Sequence, residues 1–221
     1  MELYDVLRTT GAVRRFTDDP LPDEDLHRIL DNARFAPSGG NRQGTRVIVL
    51  RDRGTREQLV ELSATGSRRY AAQVAHGEAP WNTVHATGVG ADEVAATDVP
   101  GHLTRPLLDA PVVLVVCVDL SVVASMDADL DRVGVASGAS VYPLAWNILL
   151  AARNEGYGGT FNTMAIAEEP AVRRLLGIPD GYAVACLLPL GRPVKQVTRL
   201  RRNEVADFVT RERFDGPPFG E

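Results

Sequence analysis

The sequence predicts an α/β (α+β) fold, in which helices flank a mixed central β-sheet. Helical and strand-like patterns alternate along the chain, and short apolar runs of strand length are separated by longer amphipathic segments. No internal repeat and no clear linker interrupts the 221 residues. We therefore expect a single domain that spans 1–221, which is long enough to bury a sizeable hydrophobic core.

The first element that the sequence defines clearly is a helix that starts at Pro22. Three acidic residues follow this proline, and both features are typical of a first helical turn. Apolar residues then recur with the helical spacing i, i+3, i+4, i+7, at Leu26, Ile29, Leu30 and Ala33. Pro37 ends this helix, RVIVL (46–50) predicts a strand, and the charged segment 54–72 predicts a second helix.

The second half of the chain contains the longest regular pattern. PVVLVVCVDL (111–120) predicts a strand that is buried on both faces, and residues 134–156 predict a long helix that is almost free of charge before Arg153. A helix that is apolar all round lies either in a core or in a subunit interface. Small residues in its first half would let another helix approach closely, so we expect a buried dimer-interface helix, with burial inside one subunit as the alternative. A short helix (168–177) and a buried strand (182–191) follow.

Two segments lack such patterns. Gly, Pro, Thr and Asp dominate residues 76–105, which is typical of a variable loop or lid. The C-terminal tail, 203–221, contains three phenylalanines but little periodicity. Packing on a partner subunit and fraying are both compatible with that composition.

The composition argues against several classes of protein. The formal net charge of −5 argues against a nucleic-acid binder, whose surface would be basic. Cys117 and Cys186 lie far apart inside apolar runs, which indicates reduced core residues rather than a disulfide framework. The N-terminus lacks the apolar region of a signal peptide, and no apolar stretch reaches the length of a membrane span. We expect a cytoplasmic protein without a membrane partner.

Familiar catalytic motifs are missing from the sequence as well. GVGADE (88–93) lacks the third glycine of a dinucleotide-binding loop, and there is neither a Walker sequence nor a G-x-S-x-G motif. The four histidines show no metal-ligand spacing, so we expect no metal site. A site without its own acid, base or nucleophile often lets a cofactor carry the chemistry.

The connection APSGGNRQG (36–44) is unusually polar for a link between a helix and a strand. Its two glycines give a backbone that a ligand can approach closely, and Ser38, Asn41 and Gln43 add neutral hydrogen-bonding groups. The pattern favours a ligand-binding loop, and an elaborate turn is the alternative.

Four segments together resemble the flavin-dependent nitroreductase superfamily. VRRFTDDPLPDEDLHRILDNARFAPSGGNRQ (13–43) is similar to the family's opening motif and to its A-P-S-[SG]-x-N-x-Q loop. The alanine-rich helix, the stretch from GYGGTFNTM (156–164) to GRP (191–193), and the basic patch 199–202 follow in the family's order. The resemblance implies a homodimer that binds FMN at its interface and takes hydride from NADH or NADPH in a ping-pong cycle. It would then reduce a small-molecule acceptor such as a nitroaromatic or a quinone.

By this resemblance the candidate FMN ligands come from three parts of the chain, and flavin N5 carries the chemistry without a catalytic side chain. The polar loop would contact a flavin held mainly by the other subunit, through Pro37, Ser38, Gly39, Asn41 and Gln43. Basic residues would hold the phosphate: Arg14 and Arg201 first, then Arg199, with Arg15 in the set although we expect its side chain to point elsewhere. A backbone amide at Thr163 or Met164 would face flavin N5 and O4.

The sequence departs from the family pattern just before Arg14. Thr10, Gly11 and Ala12 stand where the family usually has phosphate-binding residues. This departure bears on FMN affinity more than on FMN identity, and Arg8 or the Thr10 hydroxyl would have to take their place.

The resemblance leaves other functions open. A variant of the superfamily would use the same fold for another flavin reaction, as a dehydrogenase, a dehalogenase or a flavin-cleaving enzyme. A flavin-storing protein would bind the cofactor without turnover. Trp81, within 76–105, is open between a place in the acceptor pocket and a role as a loop anchor.

Overall fold

The computed structural model describes residues 1–220. Over these residues the chain forms eight α-helices: α1 (Leu3–Thr9), α2 (Asp23–Ala33), α3 (Arg53–Ala75), α4 (Ala91–Ala96), α5 (Gly101–Thr104), α6 (Pro106–Asp109), α7 (Tyr142–Asn154) and α8 (Glu169–Leu176). It also forms four strands: β1 (Thr45–Leu50), β2 (Val112–Asp119), β3 (Gly158–Gly159) and β4 (Tyr182–Gly191). The three strands that the sequence predicts and the helix after Pro22 are confirmed.

The strands form one sheet in the order β1-β2-β4-β3. All of its strand pairs are antiparallel, from Thr45 opposite Val118 at one edge to Gly158 opposite Gly191 at the other. The predicted fold class is confirmed, but within residues 1–220 the sheet is antiparallel rather than mixed. Apolar runs reveal a strand without revealing its direction, because a helical connection can return the chain to either end of a sheet.

The hydrophobic core has two halves, one on each face of the sheet. Successive side chains of a strand point to opposite faces. The even-numbered residues of β2 from 112 to 118 therefore pack with α2 and α7, and the odd-numbered residues from 113 to 117 pack with α3 and α8. The result is a helix–sheet–helix sandwich with β2 at its centre.

Both cysteines lie in this core as free thiols, as the sequence predicts. Desolvation raises the pKa of Cys117 to about 11 and that of Cys186 to about 12. Because the thiolate is the reactive form, neither side chain is suited to redox or nucleophilic chemistry at neutral pH.

The long helix predicted over 134–156 is wrong in its first half. Residues Ala136–Ser140 form a 3₁₀ turn, and the α-helix starts only at Tyr142. Pro143 explains the boundary, since proline fits the first turn of a helix but breaks a helix interior. The resulting α7 has 13 residues, and α3, with 23, is longer.

Helix α7 is only partly covered by its own chain. Ala145, Ile148 and Leu149 are buried against the sheet, but Tyr142 is 45% exposed and Trp146 is 37% exposed. One apolar face of the helix is therefore left open at the surface.

Residues 76–105 contain α4, α5 and irregular backbone that side chains hold in place. The Glu78 carboxylate accepts hydrogen bonds from the Thr87 hydroxyl and the Gly88 amide, both at 2.7 Å. The Trp81 amide donates to Gln73 Oε1 at 3.0 Å. This segment is consequently tied to the C-terminal end of α3.

The C-terminal tail forms one short 3₁₀ turn at Val205–Asp207. Phe208 is 68% exposed and Phe214 is fully exposed, so neither side chain is covered within the chain. The last residue of the predicted 203–221 segment lies outside the described residues. Within residues 1–220, no helix combines the length and the hydropathy that a membrane crossing requires.

Candidate functional site

The opening motif begins with an extended segment, residues 13–15, which backbone hydrogen bonds hold on both sides. The Val13 amide donates to the Gly159 carbonyl at 2.8 Å, and the Val194 amide donates to the Arg15 carbonyl at 3.1 Å. Val13 is buried so close to Gly158 that a Cβ there would lie 2.7 Å from the valine Cγ2. Arg14 therefore projects from a backbone whose position is fixed.

Arg14 and Arg15 both line one polar cavity of about 670 Å³ between this segment and helices α5 and α6. Its charged and titratable lining residues are Arg14, Arg15, Asp18, His102, Arg105 and Asp109. Arg105 makes an ion pair with Asp109 at 3.5 Å, whereas Arg14 and Arg15 form no ion pair with any described residue. The cavity thus carries an excess of positive charge and suits an anion. Arg15, expected to point elsewhere, lines it together with its neighbour.

Arg199 and Arg201 lie on the surface at the other end of the chain. Leu200, between them, packs on the start of the opening motif: a Cβ at Gly11 would lie 3.0 Å from Leu200 Cδ2 and 3.2 Å from Val197 Cγ2. The two ends of the chain therefore meet at Gly11, although neither arginine is among the residues that line the polar cavity.

The Thr10–Ala12 departure has a structural cause. Gly11 lies against the Leu200 side chain with little space for a Cβ, and Thr10 is buried with its hydroxyl donating to the Val6 carbonyl at 2.7 Å. The sequence offers the Thr10 hydroxyl as a replacement for the missing phosphate-binding residues, and this role does not fit the arrangement. Arg8 is exposed, with its guanidinium 5.7 Å from the centre of the Tyr4 ring.

Thr163 and Met164 line a second cavity, of about 660 Å³, which we call the aromatic cavity. It also contains three aromatic side chains, and its complete lining is Gly66, Tyr70, Pro80, Trp81, Val133, Tyr142, Thr163, Met164, Ile166 and Ala167. No Asp, Glu, Lys, Arg or His is in this set. Trp81 lies 4.1 Å below the Arg69 guanidinium, measured to the ring centre, so it is both a cavity wall and an anchored residue.

Asn162 fixes the backbone of this second cavity. Its amide nitrogen donates to the Leu103 carbonyl at 2.7 Å, and its Oδ1 accepts from the Met164 amide at 3.0 Å. The Met164 amide is therefore already satisfied, while the Thr163 amide makes no hydrogen bond within residues 1–220. Sequence reasoning missed Asn162, whose partners are distant in the chain.

A second unsatisfied group lies nearby on α3. Gly66 approaches Met164 so closely that a Cβ would lie 2.2 Å from the Met164 carbonyl oxygen. The next residue, Ser67, is fully buried, and its hydroxyl has no partner among the described residues. A buried polar group without a partner is costly, but Ser67 is not among the residues that line the second cavity. Thr163 lines it and is exposed, so of the two groups only the Thr163 amide lies where a ligand can reach it.

The polar loop lies in a different place. It surrounds a cavity of about 300 Å³ whose lining includes Pro37, Ser38 and Gln43 together with Ser140 from the turn before α7. The Gly39 amide donates to the Ser140 hydroxyl at 3.1 Å. No lining residue of this cavity also lines the polar cavity or the aromatic cavity within residues 1–220.

The loop backbone is strained. Gly40, Asn41 and Gln43 all have positive φ, of 61°, 52° and 51°. Glycine and asparagine tolerate this region, but glutamine does not prefer it, and such strain tends to persist at binding sites. The Ser38 hydroxyl stabilises the conformation by accepting from the Gln43 amide at 3.0 Å.

Comparison with known proteins gives the class to which this arrangement belongs. Residues 7–192 match the model of the Nitroreductase family. The match covers most of the chain, and the protein belongs to this family.

The relatives of this chain are named for different activities. The chain is 30% identical over 190 residues to an NADH dehydrogenase of Thermus thermophilus, covering 84% of this chain and 83% of the relative. It is 27% identical over 204 residues to an iodotyrosine deiodinase of Thermotoga neapolitana, covering 92% of this chain and 95% of the relative. It is also similar to a crystal structure of oxidised iodotyrosine deiodinase bound to FMN and 3-iodo-L-tyrosine. That similarity has a TM-score of 0.68 and 25% identity, and it covers 96% of this chain and 99% of the other.

Proposed function

We propose that the protein is a cytoplasmic FMN-dependent NAD(P)H oxidoreductase that works as a homodimer. It would reduce an uncharged aromatic acceptor such as a quinone or a nitroaromatic. The observation that carries the proposal is an aromatic cavity without a charged lining residue, at which the Thr163 amide makes no hydrogen bond within residues 1–220. Membership of the nitroreductase family and the FMN-bound relative support the same cofactor.

The residues present fit FMN. The Thr163 amide, which makes no hydrogen bond within residues 1–220, suits an acceptor atom of a flavin ring, while the aromatic cavity suits its planar face. Arg14, Arg15, Arg199 and Arg201 supply guanidinium groups for the phosphate. When bound, FMN supplies a hydride acceptor and donor.

The chain's own part in the reaction is binding and electrostatic. A backbone amide that donates to a bound flavin would stabilise negative charge on it. We assign this role to Thr163, because the Met164 amide already donates to Asn162. Water can supply protons, so no side chain is needed as a general acid.

The position of the polar loop supports the proposed homodimer. Pro37, Ser38, Gly39, Asn41 and Gln43 line or flank a cavity that is separate from the aromatic one, so we propose that they contact the flavin of the partner subunit. The open face of α7, with Tyr142 and Trp146 exposed, continues into an apolar groove of about 770 Å³ and supplies the surface for the second copy. Sedimentation of the protein and of Trp146→Glu tests this: a dimer that the charge dissociates supports it, and a wild-type monomer refutes it.

The acceptor preference rests on the aromatic cavity. Its lining has no charged side chain, and the Arg69 guanidinium stacked on Trp81 is a cation, so the ammonium group of a zwitterionic amino acid would lose hydration there without a lining carboxylate to pair with. An uncharged planar acceptor pays no such cost and stacks on Trp81 or Tyr142. This favours quinones and neutral nitroaromatics over an iodinated amino acid.

The first experiment is a visible spectrum of the purified protein, followed by NADH or NADPH oxidation with a quinone or nitroaromatic added. A yellow protein that oxidises the nicotinamide only when the acceptor is present supports the proposal. A colourless protein that takes up no added FMN refutes it. Arg14→Ala and Arg201→Ala should each weaken FMN binding by about tenfold, or about 1.4 kcal/mol. The control is Arg174→Ala, an exposed arginine on α8.

Reductive dehalogenation is the second candidate, because a deiodinase relative aligns over nearly its whole length. That reaction replaces the aryl C–I bond by C–H, consuming two electrons and a proton and releasing iodide. Iodide release from 3-iodo-L-tyrosine by the dithionite-reduced protein, without nicotinamide turnover, would favour this candidate over the first.

A further inference from the structure

We propose that the polar cavity beside the opening motif binds a phosphate monoester dianion, and that His102 and Arg105 are ligands of that group together with Arg14 and Arg15. The proposal rests on the proposed function for the source of the phosphate, which is either the FMN tail or the 2′-phosphate of NADPH. Nothing in the sequence pattern singles out residues 102 and 105.

The first argument is the charge of the cavity. Three guanidinium groups and one imidazole line it, against the carboxylates of Asp18 and Asp109. Asp109 is occupied in part by Arg105, at 3.5 Å. Arg14 and Arg15 have no anionic partner within residues 1–220, and guanidinium forks are well matched to phosphate oxygens.

The second argument is that residues 10 and 11 are not available as phosphate ligands. Positions 10 and 11 are used for packing, since the Thr10 hydroxyl donates to Val6 and Gly11 accommodates Leu200. Helices α5 and α6 bring two further basic groups to the same side of Arg14. They can therefore supply the contacts that positions 10–12 lack.

The third argument is how the cavity is joined to the aromatic one. The Asn162 side chain donates to the carbonyl of Leu103, the residue that follows His102. The same Asn162 accepts from Met164 at the aromatic cavity. The Asn162 side chain thus positions both α5, which carries His102, and the segment that carries Thr163 and Met164. This is expected if a single elongated molecule contacts both cavities.

The test compares two variants with opposite expected signs. Arg105→Ala removes a cation, and Asp109→Asn removes a competing carboxylate without changing its size. For each variant, Kd values are measured for FMN and for riboflavin, and KM values for NADPH and for NADH. Arg174→Ala is the control for loss of one positive charge elsewhere. His102→Gln repeats the test at the second new ligand.

If the cavity holds the flavin tail, Arg105→Ala weakens FMN binding about fivefold or more and leaves riboflavin unchanged, while Asp109→Asn tightens FMN binding. If the cavity holds the 2′-phosphate, the same opposite changes appear in the KM for NADPH and are absent for NADH. Damage to folding cannot produce a tightening, so the paired signs separate binding from stability.

The inference would be overturned if Arg105→Ala and Asp109→Asn changed FMN and riboflavin binding equally and changed the KM values for NADPH and NADH equally. It would also be overturned if the two variants affected none of these four ligands. The inference would also be overturned if Arg201→Ala but not Arg105→Ala lost the discrimination between FMN and riboflavin, and Arg105→Ala left the discrimination between NADPH and NADH unchanged. These results leave the proposed function intact, because the wild-type protein still binds FMN. A wild-type protein that binds neither flavin refutes the proposed function itself.

Discussion

Replacement of Gly66 by alanine tests the contact between α3 and the segment that carries Thr163. A Cβ at position 66 would lie 2.2 Å from the carbonyl oxygen and 3.0 Å from the carbonyl carbon of Met164. Both are backbone atoms, which cannot swing aside as the end of a side chain can. The helix and the segment must therefore move apart by roughly 1 Å, in a core that is close-packed on both sides.

The size of the effect is a balance of two terms. Overpacking a core costs about 1–3 kcal/mol, and a clash with backbone belongs to the upper part of that range. Alanine in place of glycine in a helix interior recovers about 1 kcal/mol. The net loss is about 1–2 kcal/mol, and at about 2–4 °C per kcal/mol for a domain of this size the melting temperature falls by about 2–8 °C.

Gly54→Ala is the matched control in the same helix. A Cβ there would meet Asp52 Oδ2 at 3.4 Å, an ordinary contact with a side chain. Thermal unfolding followed by circular dichroism should show a lower melting temperature for Gly66→Ala and an unchanged or higher one for Gly54→Ala. FMN titration of Gly66→Ala should also show weaker binding. A Gly66→Ala protein that melts at or above the wild-type temperature would refute the close approach.

Three further predictions concern the groups around the site. Asn162→Ala should lower the free energy of unfolding by about 2 kcal/mol, since two hydrogen bonds are lost. Asn162→Asp, which cannot donate to Leu103, should also destabilise; unchanged denaturant midpoints in both variants would contradict the assigned bonds. Hydrogen bonds from Thr87 and Gly88 lower the pKa of Glu78 from its usual 4.5, so their stabilisation is present above that pH and is lost as the pH falls through the lower folded value. Amide exchange of residues 78–88, corrected for intrinsic pH dependence, should rise in acid for the wild type but not for Glu78→Gln. Cys117 and Cys186 should not react with a thiol reagent at pH 8 until the protein is unfolded, and fast labelling of the native protein would show that one of them is accessible.

The elements with strong local patterns could be predicted from the sequence. Acids after Pro22, apolar residues at helical spacing and long apolar runs indicate α2, β2 and β4 without further information. The same reasoning failed at the start of α7, where it relied on the absence of charge. Pro143 carried the missing signal, because a proline inside a predicted helix marks its first turn more often than its interior.

The candidate site could be predicted only where one segment contributes several ligands. The polar loop is visible because Ser38, Asn41 and Gln43 are adjacent in the sequence. The cavity around Arg14 is not visible in this way, since His102 and Arg105 are about ninety residues away and lie in a segment without periodicity. Asn162 is equally hidden, because its hydrogen-bond partners, rather than its neighbours in sequence, define its role.

Gly11 shows why a departure from a family pattern can reflect packing rather than loss of function. A Cβ at this position would meet Leu200 at 3.0 Å and Val197 at 3.2 Å, so a larger residue at position 11 would have to push these two side chains aside. The segment that carries Arg199 and Arg201 packs on position 11 through this contact. The glycine therefore supplies no side-chain ligand, but it lets Leu200, which lies between the two arginines, pack closely. Ligands at one end of a binding site and packing at the other are not independent, and residues 10–12 must be interpreted together with residues 197–201.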